Sequence, residues 1–306
     1  MNKLNISRRA AIVRALCEGN SVRAPALLTA TAKATVLKLL VEMGEFCSIY
    51  QDHAVRSLNT TRIEADEIWS FVGAKQKHAT KDGQGDLCTY TAIDADSKLM
   101  ISWLVGPRNH DSTFAFMADV PGRLAKREHK GPKVQLTTDG LSWYVAAVEA
   151  AFGYQGVDFA QIIRTDGVPT DEKGSRRYSP MVCTGVEKVP VFGAPDMDLV
   201  STSYVERANL SIRMGNRRFT RLTNGFSKKA ENHARAFSLF AMHYNYCRPH
   251  MTLTKAANGV KDDARDGIRA DGPSVVDSGC ARPDAPGSSV TIKVTHYPAD
   301  SASCVL

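Results

Sequence analysis

The stretch "RIEADEIWSFVGAK", residues 62–75, marks the point where a helical pattern gives way to strands. Downstream, "DLCTYTAIDADSKLMISWLVG", residues 86–106, predicts two strands joined by a polar turn. A fourth strand, "KVQLTTDG", residues 133–140, and a short fifth strand near "AQIIRTD", residues 160–166, are interleaved with helical segments. The order β-β-β-α-β-α-β predicts an α/β domain, over residues 60–253, that has a mixed sheet with flanking helices.

Upstream of this domain, residues 4–45 predict helices only. Three short helices with a tight bend before the third are compatible with a small all-α helix-turn-helix domain over residues 1–50. The basic residues Arg23, Lys33 and Lys38 favour a DNA-reading role. The alternative is a helical hairpin that packs on the main domain, since the turn lacks the glycine often found there. Residues 46–60 read as a connector.

Downstream, residues 166–202 carry Gly, Pro and charges without a clear period and predict an inserted loop. A long helical region is expected from 204 to about 247. The tail, residues 254–306, is rich in Asp, Gly, Ser and Pro and is typical of an irregular segment.

Composition narrows the class of partner. The chain has 306 residues, 43% of them hydrophobic, and a net charge of +7, so an acidic partner such as nucleic acid fits. The seven cysteines are scattered without a CxxC pair, which argues against a disulfide framework and a zinc ribbon and suits a reducing cytosol. No apolar run long enough for a membrane span or a signal peptide is expected.

Three acids occur where separate elements of such a sheet can converge. Asp66 lies in the first strand, Asp139 ends the fourth and Glu206 begins the late helix. Oxygen ligands from distant segments suit hard divalent ions, and two such ions can clamp both oxygens of a phosphodiester displacement. Taken singly, each acid also has a structural interpretation: Asp139 as a turn or N-cap residue, and Glu206 as a first-turn acid.

The segment after Glu206 is strongly basic. Between residues 206 and 235 there are eight Lys and Arg against two acids, more imbalance than a solvated helix face needs. Such a segment neutralises phosphates without reading sequence. Arg213 is the best candidate for a phosphate contact beside the acids, and a salt bridge to one of them is the alternative. The other expected DNA contacts are Arg217, Arg218, Arg221, Lys228 and Lys229.

Three blocks, "ADEIWSFVGAKQ", "QLTTDGLSWY" and "SYVERANLSIRMGNRRFTRLTNGFSKKAENH", resemble IS1-type insertion-sequence transposases, as does the closing "YNYCRPHMTL". The resemblance covers about residues 4–253. It implies an RNase H-like core whose DDE triad, and metal ligands, are Asp66, Asp139 and Glu206. Strand side chains alternate between faces, so only one of Asp66 and Glu67 is expected in the site, and the family pattern selects Asp66.

The resemblance also implies the chemistry and the partners. Two Mg²⁺ or Mn²⁺ ions would support cleavage at the ends of the mobile element and strand transfer into target DNA. A homo-oligomer would bring the two ends together in a prokaryotic cytoplasm, at the nucleoid. The alternatives are a non-transposing RNase H-like nuclease and a transposase-derived DNA-binding protein without catalysis.

Two departures from the family stand out. Many relatives carry a zinc ribbon that this chain lacks, and the spacing from Asp139 to Glu206 is 67 residues (206 − 139), longer than in compact members. The tail carries a separate hypothesis. For a suitable choice of codons, a one-base shift turns "DDARDGIRAD" into "TTPAMASGL", close to the "TPAMAAGL" that ends related transposases. A frameshift near residues 255–262 is therefore expected.

Overall fold

A computed structural model describes residues 4–126, 133–154, 156–167, 182–221, 223–251 and 253. The predicted irregular tail and its frameshift lie outside these residues. Among the described residues, no helix is both long and apolar enough to cross a membrane.

The centre of the molecule is a six-stranded mixed sheet in the order β3-β2-β1-β4-β5-β6. Strands β1, β2 and β3 pair antiparallel, β4 and β5 run parallel to β1, and β6 returns antiparallel to β5. This confirms the predicted mixed α/β sheet. The strands are β1 (Arg62–Val72), β2 (Gly85–Asp94), β3 (Met100–Gly106), β4 (Val134–Asp139), β5 (Val157–Gly167) and β6 (Val182–Phe192).

Helices cover both faces of the sheet. On one face Ile63 and Ala65 of β1 pack with Phe116 and Tyr144, which belong to α4 and α5. On the other face Ile68 packs with the buried residues of α6 and α7. Successive residues of β1 therefore point into two different cores. These helices are α4 (His110–Asp119), α5 (Trp143–Phe152), α6 (Ser203–Gly215) and α7 (Ala230–Tyr246).

The N-terminal helices are α1 (Ile6–Cys17), α2 (Arg23–Leu28) and α3 (Lys33–Ala54). They confirm that this region is helical, while the helix-turn-helix domain and its DNA-reading role stay predictions. Helix α3 differs from expectation because it runs without a break through most of the predicted connector. Its C-terminal half packs on α7, where Ser238 Oγ donates to the Gly44 carbonyl at 2.8 Å and Gln51 Nε2 donates to the Ser238 carbonyl at 3.2 Å.

Two further expectations fail in the C-terminal half. The predicted loop 166–202 contains strand β6, of which residues 183–188 are exposed on both faces and so show no apolar period; residues 168–181 of the predicted loop lie outside the described ones. The predicted helical region from 204 is interrupted, because α6 ends at Gly215 and α7 begins only at Ala230. Between them a 3₁₀ turn, Arg217–Phe219, leads into irregular chain.

Candidate active site

Asp66 and Asp139 are brought together by the pairing of β1 with β4. In the ladder between these parallel strands, Ala65 of β1 lies opposite Thr138 of β4. The next residue is Asp66 on β1 and Asp139 on β4. Strand β4 ends there, whereas β1 continues to Val72. The middle of β1 therefore has an open edge directly beyond the end of β4.

Both adjacent acids of β1 reach this edge. One carboxylate oxygen from each of Asp66, Glu67 and Asp139 lies within 4.8 Å of the others. The expectation that alternation admits only one of the two β1 acids is therefore wrong, because side chains from opposite faces can meet around an open strand edge. Glu67 extends from the face covered by α5: Tyr144 donates to its Oε2 at 3.3 Å, and Arg108 Nη2 lies 2.6 Å from its Oε1.

The electrostatics of the cluster are those of crowded, buried acids. Burial, and then the charges of Asp139 and Glu67, raise the pKa of Asp66 to about 7. Burial and the charge of Glu67 raise the pKa of Asp139 to about 6. Protonation relieves this repulsion, and so would a bound cation, which favours the ionised carboxylates.

Helix α6 is fixed onto β1 by a residue that the sequence did not single out. Glu64, buried on β1, accepts hydrogen bonds from the backbone amides of Tyr204 at 2.7 Å and Val205 at 3.0 Å. A carboxylate at a helix N-terminus satisfies otherwise unpaired amides and complements the helix dipole. One turn further along the helix, Asn209 Nδ2 donates to Asp66 Oδ2 at 2.8 Å.

Glu206 lies beside the cluster rather than inside it. Its charge contributes to raising the pKa of Asp66. Its Oε1, however, accepts a hydrogen bond from Thr202 Oγ1 at 2.6 Å and forms an ion pair with Arg164 of β5. The structure thus brings Asp66 and Asp139 together with Glu67, whereas Glu206, the third predicted acid, is ion-paired with Arg164.

The donor set fits a hard divalent cation. All three converging ligand atoms are carboxylate oxygens, the type that Mg²⁺ and Mn²⁺ prefer. Two buried polar atoms beside Asp66 have no hydrogen-bond partner among the described residues: Asn209 Oδ1 and the hydroxyl of Thr91, which lies opposite Asp66 in the β1–β2 ladder. Buried polar groups are normally paired, so these atoms point to an additional ligand in the site.

The predicted DNA contacts after Glu206 differ in how far their side chains are exposed. Arg221, Lys228 and Lys229 are exposed, and Arg213 and Arg217 are half-buried. Arg218 instead turns inward: its Nη1 donates to the buried Ser227 Oγ at 2.6 Å, and burial lowers its pKa to about 10. Arg235, counted with the same basic segment, is buried against α3, where its Nη2 lies 3.3 Å from Glu45 Oε1.

The predicted DNA contacts of the N-terminal helices, Arg23, Lys33 and Lys38, are all exposed. Lys38 lies on α3, 3.9 Å from Glu42, and lines a cleft of about 500 Å³. Arg8 and Arg9 of α1 line the same cleft. The charged residues of this cleft are mainly basic, with Glu42 as an acid beside Lys38, and its other lining residues are uncharged; the DNA-binding role stays a prediction.

Comparisons with known proteins give a limited picture. No protein-family model and no curated protein matches the chain. Among solved structures, a pre-cleavage Mos1 transpososome is similar at 13% identity, with 79% of each chain covered and a TM-score of 0.29. The Mos1 strand transfer complex is similar at 13% identity, over 81% of this chain and 82% of that one, with a TM-score of 0.27.

Aquifex aeolicus Argonaute is similar at 12% identity and a TM-score of 0.26, over 63% of this chain. This chain spans only 30% of the Argonaute chain. None of these TM-scores reaches 0.5, and these similarities do not define the function.

The residues that the sequence missed contact the acids from other elements. Arg108 and Tyr144 contact Glu67, and Arg164 contacts Glu206. Arg108 is two residues after the end of β3 in "VGPRN", and Arg164 lies in "IIRTD" at the end of a predicted strand. An arginine at a strand end beside a predicted acid site was the available signal.

Proposed function

We propose that this protein is a metal-dependent DNA transposase of the IS1 type, in which an RNase H-like core cuts the ends of a mobile element and joins them to target DNA. The observation that carries the proposal is the convergence of Asp66, Asp139 and Glu67 at the open edge of β1. The predicted order of strands and acids, and the resemblance of three sequence blocks, add support.

The chain's own residues have defined parts in this proposal. Asp66 and Asp139, with Glu67 beside them, would hold Mg²⁺ or Mn²⁺, and Glu206 would complete the ligand set of two ions. The ions, when bound, supply Lewis-acid stabilisation of the phosphate and activate the attacking oxygen. Asn209 holds the Asp66 carboxylate in place, and Arg213, whose pKa is lowered by burial, lies close enough to Asp66 to sense its charge.

The exposed basic side chains would place the DNA. Arg221, Lys228 and Lys229 follow α6 in the chain, and the parallel bridge between Val72 and Ser227 places their segment beside the end of β1. Phosphate contacts of this kind fix the position of a duplex without reading its sequence. The basic cleft between α1 and α3 would bind the element end, and a homo-oligomer would pair two ends in the cytoplasm.

The test begins with the DNA that flanks the gene. Short inverted repeats bounded by a direct duplication would supply the substrate, and the same reading would show whether the tail is frameshifted. A labelled repeat end is then incubated with Mg²⁺ and plasmid target. Cleavage with strand joining, abolished in Asp139→Asn, is the expected result.

Other results select other functions. Hydrolysis without joining would instead identify a nuclease on the same fold. Repeat-specific binding that survives Asp139→Asn, without Mg²⁺-dependent cleavage by the unmutated protein, would identify a non-catalytic DNA-binding protein.

A further inference from the structure

The Glu206 carboxylate already has two hydrogen-bond donors within the protein. Two donors share its Oε1, namely the Thr202 hydroxyl at 2.6 Å and the Arg164 guanidinium. Because Oε1 already accepts two hydrogen bonds, one from a permanent cation, Glu206 cannot offer both of its oxygens to a metal until the cation moves away. Glu206 is the third acid of the proposed site, so the inference about its partner rests on the proposed function.

Arg164 is placed between two acids of the site. Strand β5 pairs with β4 so that Ile162 lies opposite Asp139, and Arg164 is two residues further along the same face. Its charge lowers the pKa of Asp139, which counters part of the effect of burial. The Arg164 side chain is 48% exposed, so its guanidinium is open to a ligand that approaches the cluster.

We propose that Arg164 exchanges partners: it holds Glu206 outside the cluster in the metal-free protein, and binds a DNA phosphate once a divalent ion has drawn Glu206 in. A guanidinium cannot lose its charge, and a nearby divalent cation repels it. After Glu206 leaves, the donors of Arg164 are free to bind another anion that displaces water from them. A phosphate matches its planar fork of donors, and the half-exposed position lets one approach.

The proposal predicts effects of opposite sign in two measurements. In Arg164→Gln, Glu206 no longer has a cationic competitor, so Mn²⁺ binding without DNA should tighten roughly two- to fivefold, as expected for a partly exposed ion pair. In the presence of Mn²⁺, the same variant should bind DNA with a salt slope smaller by about one, because it neutralises one phosphate fewer. Without Mn²⁺ the slope should not change.

The metal arm uses titration calorimetry with Mn²⁺ on the full chain. Arg164→Gln is compared with Glu206→Gln and with the double variant. The gain in affinity should vanish in the Glu206→Gln background, because the residue that Arg164 restrains is gone. Lys188→Gln is the matched control, since it removes a cation from β6 directly opposite Ile162. Mn²⁺ affinity that is unchanged or weaker in Arg164→Gln overturns the proposal.

The DNA arm uses fluorescence anisotropy on a random-sequence duplex without an element end. Equal salt slopes for Arg164→Gln and wild type in Mn²⁺ also overturn the partner exchange. Arg164→Lys keeps the charge and should retain part of the metal-dependent salt slope. A slope that this variant retains shows that the loss in Arg164→Gln does not come from misfolding. Asp139→Asn separates the two proposals: if it leaves Mn²⁺ binding intact, the metal site itself is wrong, whatever Arg164 does.

Discussion

Asn209 of α6 donates a hydrogen bond to Asp66 of β1 at 2.8 Å, while its own amide oxygen is buried without a partner among the described residues. This bond joins the helix that carries Glu206 to the strand that carries Asp66. Helix α6 therefore carries Glu206 and also helps to hold Asp66 in position.

Replacing Asn209 by alanine should weaken Mn²⁺ binding about tenfold, the usual scale for residues that orient a metal ligand. The cause is loss of the hydrogen bond that holds the Asp66 carboxylate. Calorimetric titration with Mn²⁺ measures the effect. Ser211→Ala is the matched control, because Ser211 lies on the same helix and bonds only the Arg207 carbonyl in the described structure. Equal affinities for both variants would contradict the positioning role.

Asp139→Asn should stabilise the metal-free protein near pH 8 by about 1–2 kcal/mol, because a repelled and buried charge is removed. The pKa of Asp139 is raised to about 6 in the folded state. Its contribution to stability is therefore fully present below about pH 4, the unfolded value, and is lost as the pH rises through 6. The advantage of the variant should accordingly shrink towards pH 4.

Urea denaturation in a chelator, followed across this pH range, checks the prediction. Asp82→Asn, in an exposed turn, is the control and should change the free energy of unfolding little at any pH. If Asp139→Asn is instead less stable than the wild type near pH 8, the carboxylate stabilises the fold. It would then not be a cation ligand whose buried charge destabilises the metal-free protein.

Replacing Arg221, Lys228 and Lys229 together by glutamine should lower the salt dependence of duplex binding, by about one unit of slope for each phosphate that is no longer neutralised. All three side chains are exposed, and Lys228 and Lys229 directly follow the Val72–Ser227 bridge at the end of β1. Anisotropy titrations at several salt concentrations give the slope. Lys126→Gln is the control, since Lys126 follows the Leu58–Leu124 bridge at the opposite end of that strand. An unchanged slope in the triple variant would place the DNA elsewhere.

Gly44→Ala should destabilise the protein by roughly 1–3 kcal/mol, the scale for forced overpacking. A Cβ atom at Gly44 would lie 2.3 Å from the Arg235 carbonyl oxygen of α7, and backbone cannot move aside easily. Denaturant unfolding measures the change. At Gly122 the nearest atom would be 3.7 Å away, in the Arg56 side chain, so Gly122→Ala is the tolerated control. Similar stabilities for both variants would show that α3 and α7 can separate without cost.

Much of the sheet was predictable from the sequence because its buried strands have a clear pattern. Strands β1 to β5 and the proximity of Asp66 and Asp139 follow from apolar runs and from an acid at a strand end. Strand β6 was not predictable, since its residues 183–188 are exposed on both faces and show no apolar period. Asp66 and Glu67 do point to opposite faces of β1, but beyond the end of β4 their carboxylates can still approach each other, so alternation alone could not exclude Glu67.

The basic segment shows a second limit of sequence reasoning. Arg218 and Lys228 have the same charge and lie in the same run, yet Arg218 bonds a buried serine and Lys228 faces solvent. Counting charges cannot tell which side chains turn inward, because that choice is made by packing with distant residues. The inward orientation of the Arg235 side chain likewise follows from its contact with Glu45 of α3.

The uninterrupted α3 also has a mechanical consequence. It is a single rod of 22 residues, about 33 Å long at 1.5 Å per residue, with one end in the basic cleft and the other clamped on α7. Because no break interrupts this helix, movement of the first helices relative to α7 would require α3 itself to bend or unwind.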